Sequence, residues 1–178
     1  MKKSLIALSL VVLFSGCSTF SKKEEKMVTS EFANGDIKIS YTLGGEIDTI
    51  HSTSSARVSS TLPGAVDEAV TVATMRARRQ LSEFIKTDIE TDRFVNTITD
   101  SVQNAESFGG ESATSKSVKS KIVYDVKESM KQKSNAILRG TYVDSKRFDS
   151  DTKTVLVTIK SSPKDVANSK TLKSMMGD

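Results

Sequence analysis

The chain of 178 residues is poor in the side chains that most often build active sites and metal sites. It has one cysteine, Cys17, and one histidine, His51. A single cysteine excludes an intramolecular disulfide and any zinc site built from several thiolates. A single histidine leaves little scope for imidazole acid–base chemistry. We therefore expect no metal ion, no cofactor and no enzymatic activity.

Other signals of function are also scarce. The chain has no tryptophan, only 6% aromatic residues, and a formal net charge of +4 with both signs mixed along the sequence. Because no basic stripe with interleaved aromatics occurs, we do not expect nucleic-acid binding. No Walker loop, HExxH, GxSxG or glycine-rich dinucleotide turn is present. A hydrolase that uses His51 with a nearby serine is an alternative, but a solvated loop histidine is the simpler interpretation.

The longest apolar run lies at the N-terminus. Lys2 and Lys3 precede the apolar stretch 5–14, which is too short to span a bilayer because a spanning helix needs about 20 residues. The small residues Ser15 and Gly16 follow it. This order is typical of a secretory signal peptide, which we assign to residues 1–16.

The stretch Phe14-Ser15-Gly16-Cys17 resembles the lipobox of bacterial lipoproteins. The resemblance implies cleavage between Gly16 and Cys17, a diacylglyceryl group on the Cys17 thiol, and acylation of the new α-amine. Burial of acyl chains contributes about 0.8 kcal/mol per CH₂, so several chains anchor a protein stably in the bilayer. Ser18, where inner-membrane lipoproteins commonly carry Asp, implies the outer membrane with the domain facing the periplasm. The alternative is a secreted protein whose Cys17 is incidental.

The polar stretch that follows predicts a tether over 17–28, ahead of a single domain over 29–162. Asn34-Gly35 predicts a hairpin, and the alternation in 37–43 predicts its second strand. Gly44-Gly45 predicts another turn before a short strand over 46–50. The Ser/Thr-rich segment 51–61 predicts an exposed loop.

Spacings of three and four residues predict a helix after Pro63-Gly64, with one apolar stripe. The stripe consists of Val66, Val70, Ala73, Ala77, Leu81 and Phe84. Small alanines on this helix favour close packing on a sheet. Segment 87–99 is rich in Thr, Ile, Val and Phe, which predicts a strand around 88–98.

Segment 115–131 predicts a second helix, because apolar residues recur every four positions in it. A strand is the competing interpretation, since Ile122, Tyr124 and Val126 also alternate. Residues 136–148 and 153–161 predict a C-terminal hairpin, and residues 163–178 form a tail. These elements together predict an α+β fold, a small and mainly antiparallel sheet with two helices packed on one face.

The densest basic cluster lies on the first helix, in the stretch Met75–Gln80. Arg76 and Arg79 are candidate partner contacts, because they could meet anionic lipid headgroups or the carboxylates of peptidoglycan. The alternative is a solvated helix face on which Glu83 pairs with an arginine.

About half of the chain, from Val70 to Lys160, resembles the FlgP-like outer-membrane lipoproteins. The resemblance is carried by ATMRARRQLSEFI and by NAILRGTYVDSKRFDSDTKTVLVTI. It implies an association with flagellar outer-membrane structures and assembly into rings or disks.

We therefore expect an outer-membrane-anchored periplasmic lipoprotein with a non-catalytic structural or assembly role in the cell envelope. Its expected partners are the bilayer, through acylated Cys17, and further copies of itself. The alternative function is a binding module for peptidoglycan or for an envelope protein.

Overall fold

The computed structural model describes residues 26–60, 62, 64–107 and 116–163. Five strands lie in these residues: β1 (Met27–Phe32), β2 (Ile37–Thr42), β3 (Ile47–Arg57), β4 (Tyr142–Asp149) and β5 (Thr154–Ser161). Three helices separate β3 from β4: α1 (Ala65–Thr87), α2 (Asp92–Ser107) and α3 (Lys116–Arg139). The expected signal peptide, the lipidation site and the tail beyond Pro163 lie outside the described residues.

The strands form one sheet in the order β1-β2-β3-β5-β4, and every neighbouring pair is antiparallel. The prediction of mixed helices and strands with an antiparallel sheet is therefore confirmed. The described residues contain three helices, whereas we expected two. The first strand begins at Met27, two residues before the expected domain boundary.

The hairpin predicted at Asn34-Gly35 is confirmed. Asn34 has φ 59° and Gly35 has φ 93°, and this left-handed region is the one that Gly and Asn tolerate best. In β2 the alternating residues Ile37, Ile39 and Tyr41 are buried, as the period of two predicts.

The prediction of an exposed loop over 51–61 is wrong for residues 51–57, because β3 continues to Arg57. This part of β3 pairs with β5 over its whole length. The buried positions there hold Ser52 and Ala56, so the segment lacks the apolar alternation that marks a strand. The polar side chain of Ser52 is satisfied by a bond from its Oγ to the carbonyl of Ala77, at 3.0 Å.

Helix α1 confirms the first predicted helix, but its buried side differs slightly from the predicted apolar stripe. The small residues Ala69, Ala73 and Ala77 are all buried, together with Leu81. Val66, which we assigned to the stripe, is 39% exposed. The short alanine side chains let the α1 backbone approach β3 closely enough to accept the Ser52 hydrogen bond.

The prediction of a strand over 87–99 is wrong. A 3₁₀ turn (Asp88–Glu90) leads into α2, and the Phe94 amide donates to Thr91 Oγ1 at 3.3 Å at the start of that helix. Phe94, Ile98 and Val102 are buried at intervals of four residues. The β-branched composition suggested a strand, but a whole helical face is buried here, and its burial outweighs a weak local propensity.

The helix interpretation of segment 115–131 is confirmed, and α3 extends further, to Arg139. Tyr124 is 62% exposed, whereas Ile122 and Val126 are buried, as a period of four requires. Because α3 continues through residues 136–139, the strand predicted there is wrong, and β4 begins only after Gly140. The second strand of the predicted hairpin is confirmed: Val155, Val157 and Ile159 are buried.

One face of the sheet carries the buried side chains, and we call it the inner face. Three of its residues contact the three helices in turn. Ser52 binds the Ala77 carbonyl of α1, the Phe32 ring stacks on Phe94 of α2 at 5.2 Å, and Ser161 Oγ donates to the Ile137 carbonyl of α3 at 2.8 Å. The core therefore lies between the inner face and these helices. The opposite side is the outer face.

Candidate binding surface on the outer face

A row of side chains crosses all five strands on the outer face. The strand register places Glu31 opposite Lys38, Lys38 opposite His51, His51 opposite Lys160, and Lys160 opposite Tyr142. We call these five residues the outer-face row. Glu31, Lys38 and Tyr142 are exposed, while His51 and Lys160 are half-buried on the central strands.

Hydroxyl groups flank the outer-face row on both sides. On one side, Thr29 Oγ1 and Ser40 Oγ lie 2.9 Å apart, one donating to the other. On the other side, Thr53 Oγ1 and Thr158 Oγ1 are also hydrogen-bonded at 2.9 Å. This part of the sheet therefore offers polar groups rather than apolar ones.

His51 is held towards its neutral form. The pKa of His51 is lowered below 6.5, mainly because the ring is partly buried. The charges of Lys160 and Lys38 lower this pKa further, whereas the charge of Asp144 raises it. Asp144 lies at the β-bulge of β4, between Val143 and Ser145. The imidazole is therefore mostly neutral at pH 7, so it donates a hydrogen bond through one ring nitrogen and accepts one through the other.

A proton-NMR titration tests this environment directly, because His51 is the only histidine in the chain. We expect a titration midpoint below 6.5 in the folded protein and a midpoint near 6.5 in about 8 M urea. The unfolded chain then binds the proton more readily, so the stability of the wild type should fall as the pH is lowered through that window. His51→Gln should lose this part of the pH dependence. A folded midpoint above 6.5 would contradict the electrostatic description.

The arginines that the sequence singled out lie away from the outer-face row. Arg76 Nη1 donates to the Ser55 carbonyl at 2.9 Å, and Arg78 Nη2 donates to the Thr141 carbonyl at 3.3 Å. Arg79 Nε lies 2.8 Å from Glu83 Oε1, an exposed pair one helical turn apart. The alternative of a solvated helix face paired with Glu83 therefore describes Arg79, while Arg76 ties α1 to β3.

An apolar groove lies beyond the C-terminal end of β3, near the start of α1. It has a volume of about 680 Å³ and is lined by Val58, Leu62, Val66, Phe148 and Lys153, among others. Leu62 is 72% exposed and Phe148 is 43% exposed. All eight residues of β4 are exposed, so this edge strand borders the groove without helical cover. Lys146, Arg147 and the bulge are features that protect an edge strand from pairing.

Clusters of possible metal ligands and membrane-spanning helices are both absent from the described residues. Among them, no group of three or more His, Cys, Asp or Glu side chains is arranged to hold a metal ion. None of the described helices has the length and apolar character needed to cross a bilayer.

Sequence reasoning missed the outer-face row because it treated His51 as a loop residue. The alternation in β2 correctly places the Lys38 side chain on one face of the sheet and the buried Ile37 and Ile39 on the other face. No local signal showed that residues 51–57 continue as a strand beside β5, so His51 and Lys160 could not be brought together.

The comparisons give no relative from which a function could be transferred. No protein-family model, no curated protein and no solved structure matches this chain.

Proposed function

We propose that this chain is a lipoprotein of the outer membrane, anchored through Cys17, whose domain faces the periplasm and has a non-catalytic structural or assembly role. In the part of the chain that the structure describes, all three helices contact the inner face of the sheet. The outer face is left to contact a partner in the envelope.

The segment that would connect the Cys17 anchor to the domain is short. Strand β1 begins at Met27 on an edge of the sheet, so residues 18–26 separate Cys17 from the fold. A chain of this length reaches at most about 30 Å when fully extended. The domain would therefore stay close to the membrane surface.

The observation that carries the proposed partner contact is the polar outer-face row, which none of the described helices covers. Lys38 and Lys160 flank the mostly neutral His51 on the two neighbouring strands, and of the two lysines only Lys38 has an ion-pair partner within the described residues. Contact with a polar partner would explain this arrangement, whereas packing within the domain does not.

Cys17→Ser tests the anchor. We expect this change to move the protein out of the outer-membrane fraction or to leave the leader uncleaved, because Ser has no thiol to acylate. Cell fractionation followed by mass spectrometry of the N-terminus measures both outcomes.

Ser18→Asp is the matched control, since it leaves Cys17 intact. It should keep the lipid and move the protein to the inner membrane. If the Cys17→Ser protein were still cleaved after Gly16 and still sedimented with outer membranes, the anchoring proposal would be wrong.

A further inference from the structure

We propose that the outer-face row binds the peptide carboxylates of peptidoglycan, the cross-linked glycan of the bacterial envelope. This inference rests on the proposed function, because only a domain that faces the periplasm would meet peptidoglycan. It adds a ligand and the residues that bind it.

The geometry of the row suits a small anionic group. Lys38, His51 and Lys160 are direct cross-strand neighbours on β2, β3 and β5, so their Cβ atoms lie about 4.5–5.5 Å apart from one strand to the next. A carboxylate between two of these side chains can receive hydrogen bonds from both. It also balances the positive charge of the lysine.

Lys160 is the cation of the row that is available to a ligand. Lys38 Nζ already lies 2.6 Å from Glu31 Oε1. In the described part of the chain, Lys160 forms no ion pair. Its ammonium group stands beside His51 on a half-buried part of the sheet, where an ionic hydrogen bond is stronger than in open solvent.

The flanking groups suit the rest of the same polymer. The hydroxyl pairs Thr29–Ser40 and Thr53–Thr158 can exchange hydrogen bonds with sugar hydroxyls and peptide amides on either side of the row. Tyr142 ends the row and is 43% exposed, so its ring offers an apolar surface to a sugar ring. The outer face is polar, which disfavours a second copy of the sheet as its occupant.

The outer-face row replaces the arginine cluster as the expected contact with peptidoglycan. Arg76 and Arg78 donate to backbone carbonyls of the domain itself. Arg79 is paired with Glu83. Each of these guanidinium groups therefore uses part of its donor set within the domain, whereas Lys160 forms no ion pair among the described residues.

Co-sedimentation of the detergent-solubilised, lipidated protein with purified peptidoglycan sacculi tests the proposal. Lys160→Glu should weaken binding about tenfold or more, because it removes an ionic hydrogen bond and adds a repulsive charge. The matched control is Lys146→Glu, on the same sheet but with its side chain on the inner-face side, opposite Val157. This control should bind within about twofold of the wild type.

The ligand has a matched control as well. Sacculi whose carboxyl groups have been converted to amides should bind the wild type as weakly as untreated sacculi bind Lys160→Glu. Circular dichroism and thermal unfolding of both variants establish that each is folded. Equal losses for Lys160→Glu and Lys146→Glu would overturn the proposal, as would undiminished binding to amidated sacculi or no binding by the wild type.

The pH dependence supplies a second readout. Asp144 favours the protonated form of His51, whereas Lys38, Lys160 and burial oppose it. A bound carboxylate adds to the effect of Asp144, so binding should strengthen as the pH is lowered from about 7.5 to about 5.5. The His51→Gln variant should show a flat profile over this range. A flat wild-type profile would exclude His51 from the contact.

The outcomes separate this inference from the proposed function. If the wild type fails to bind sacculi while Cys17→Ser still releases it from the outer membrane, only the ligand is wrong. If the protein binds sacculi through Lys160 but is not lipidated, the anchor is wrong and the binding surface stands.

Discussion

Phe94→Ala should destabilise the domain by about 3–5 kcal/mol, a large share of the roughly 5–15 kcal/mol typical of a folded domain. Phe94 is 1% exposed and stacks on Phe32 at a ring distance of 5.2 Å, and Phe84 lies 6.2 Å from it. Its removal leaves a cavity where α2 meets β1 and α1. Urea unfolding followed by far-UV circular dichroism measures the loss.

Phe148→Ala is the matched control for this prediction. Phe148 is 43% exposed at the edge of the sheet, so truncating it removes little buried surface. We expect a change of less than about 1 kcal/mol. Equal losses for the two variants would show that the contact between α2 and the sheet does not carry the stability assigned to it.

Gly45→Ala should have the second-largest effect, about 3 kcal/mol, because two costs add. Gly45 has φ +80°, a conformation that a residue with a side chain adopts only with strain. A Cβ at this position would also overlap Cβ of Asp125 on α3, so the turn between β2 and β3 or the helix would have to shift. The midpoint of urea unfolding should fall accordingly.

Gly44→Ala separates these costs from the general effect of removing a glycine. Gly44 is the preceding residue of the same turn and is exposed, and its added Cβ would meet Thr42 Oγ1 at 3.4 Å. We expect it to be close to neutral. A Gly45→Ala protein as stable as Gly44→Ala would contradict the close approach of α3 to this turn.

Most elements that were predicted correctly carry a strong local signal in their own residues, either a turn motif or a periodic pattern. The hairpin at Asn34-Gly35 follows from two residues that accept left-handed conformations. Helix α1 and strand β5 follow from apolar spacings that match one period only.

The two main errors have different causes. In α2 the spacing of Phe94, Ile98 and Val102 was helical, but Thr and Val between them favoured a strand by local propensity. In β3 the inward positions Ser52 and Ala56 are small or polar, because α1 packs closely there and supplies a carbonyl to Ser52. No single segment contains the information that this helix will lie above it.

By itself, the sequence determined the single cysteine and the mixed helix-and-strand class, and it predicted a signal peptide ahead of that cysteine. These are properties of neighbouring residues and of their periods. Only the tertiary structure decided that His51 lies on a central strand between Lys38 and Lys160, and that Arg76 is bonded to β3. The residues of the outer-face row lie as much as 129 positions apart in the chain, from Glu31 to Lys160, and only the pairing of distant strands brings them together.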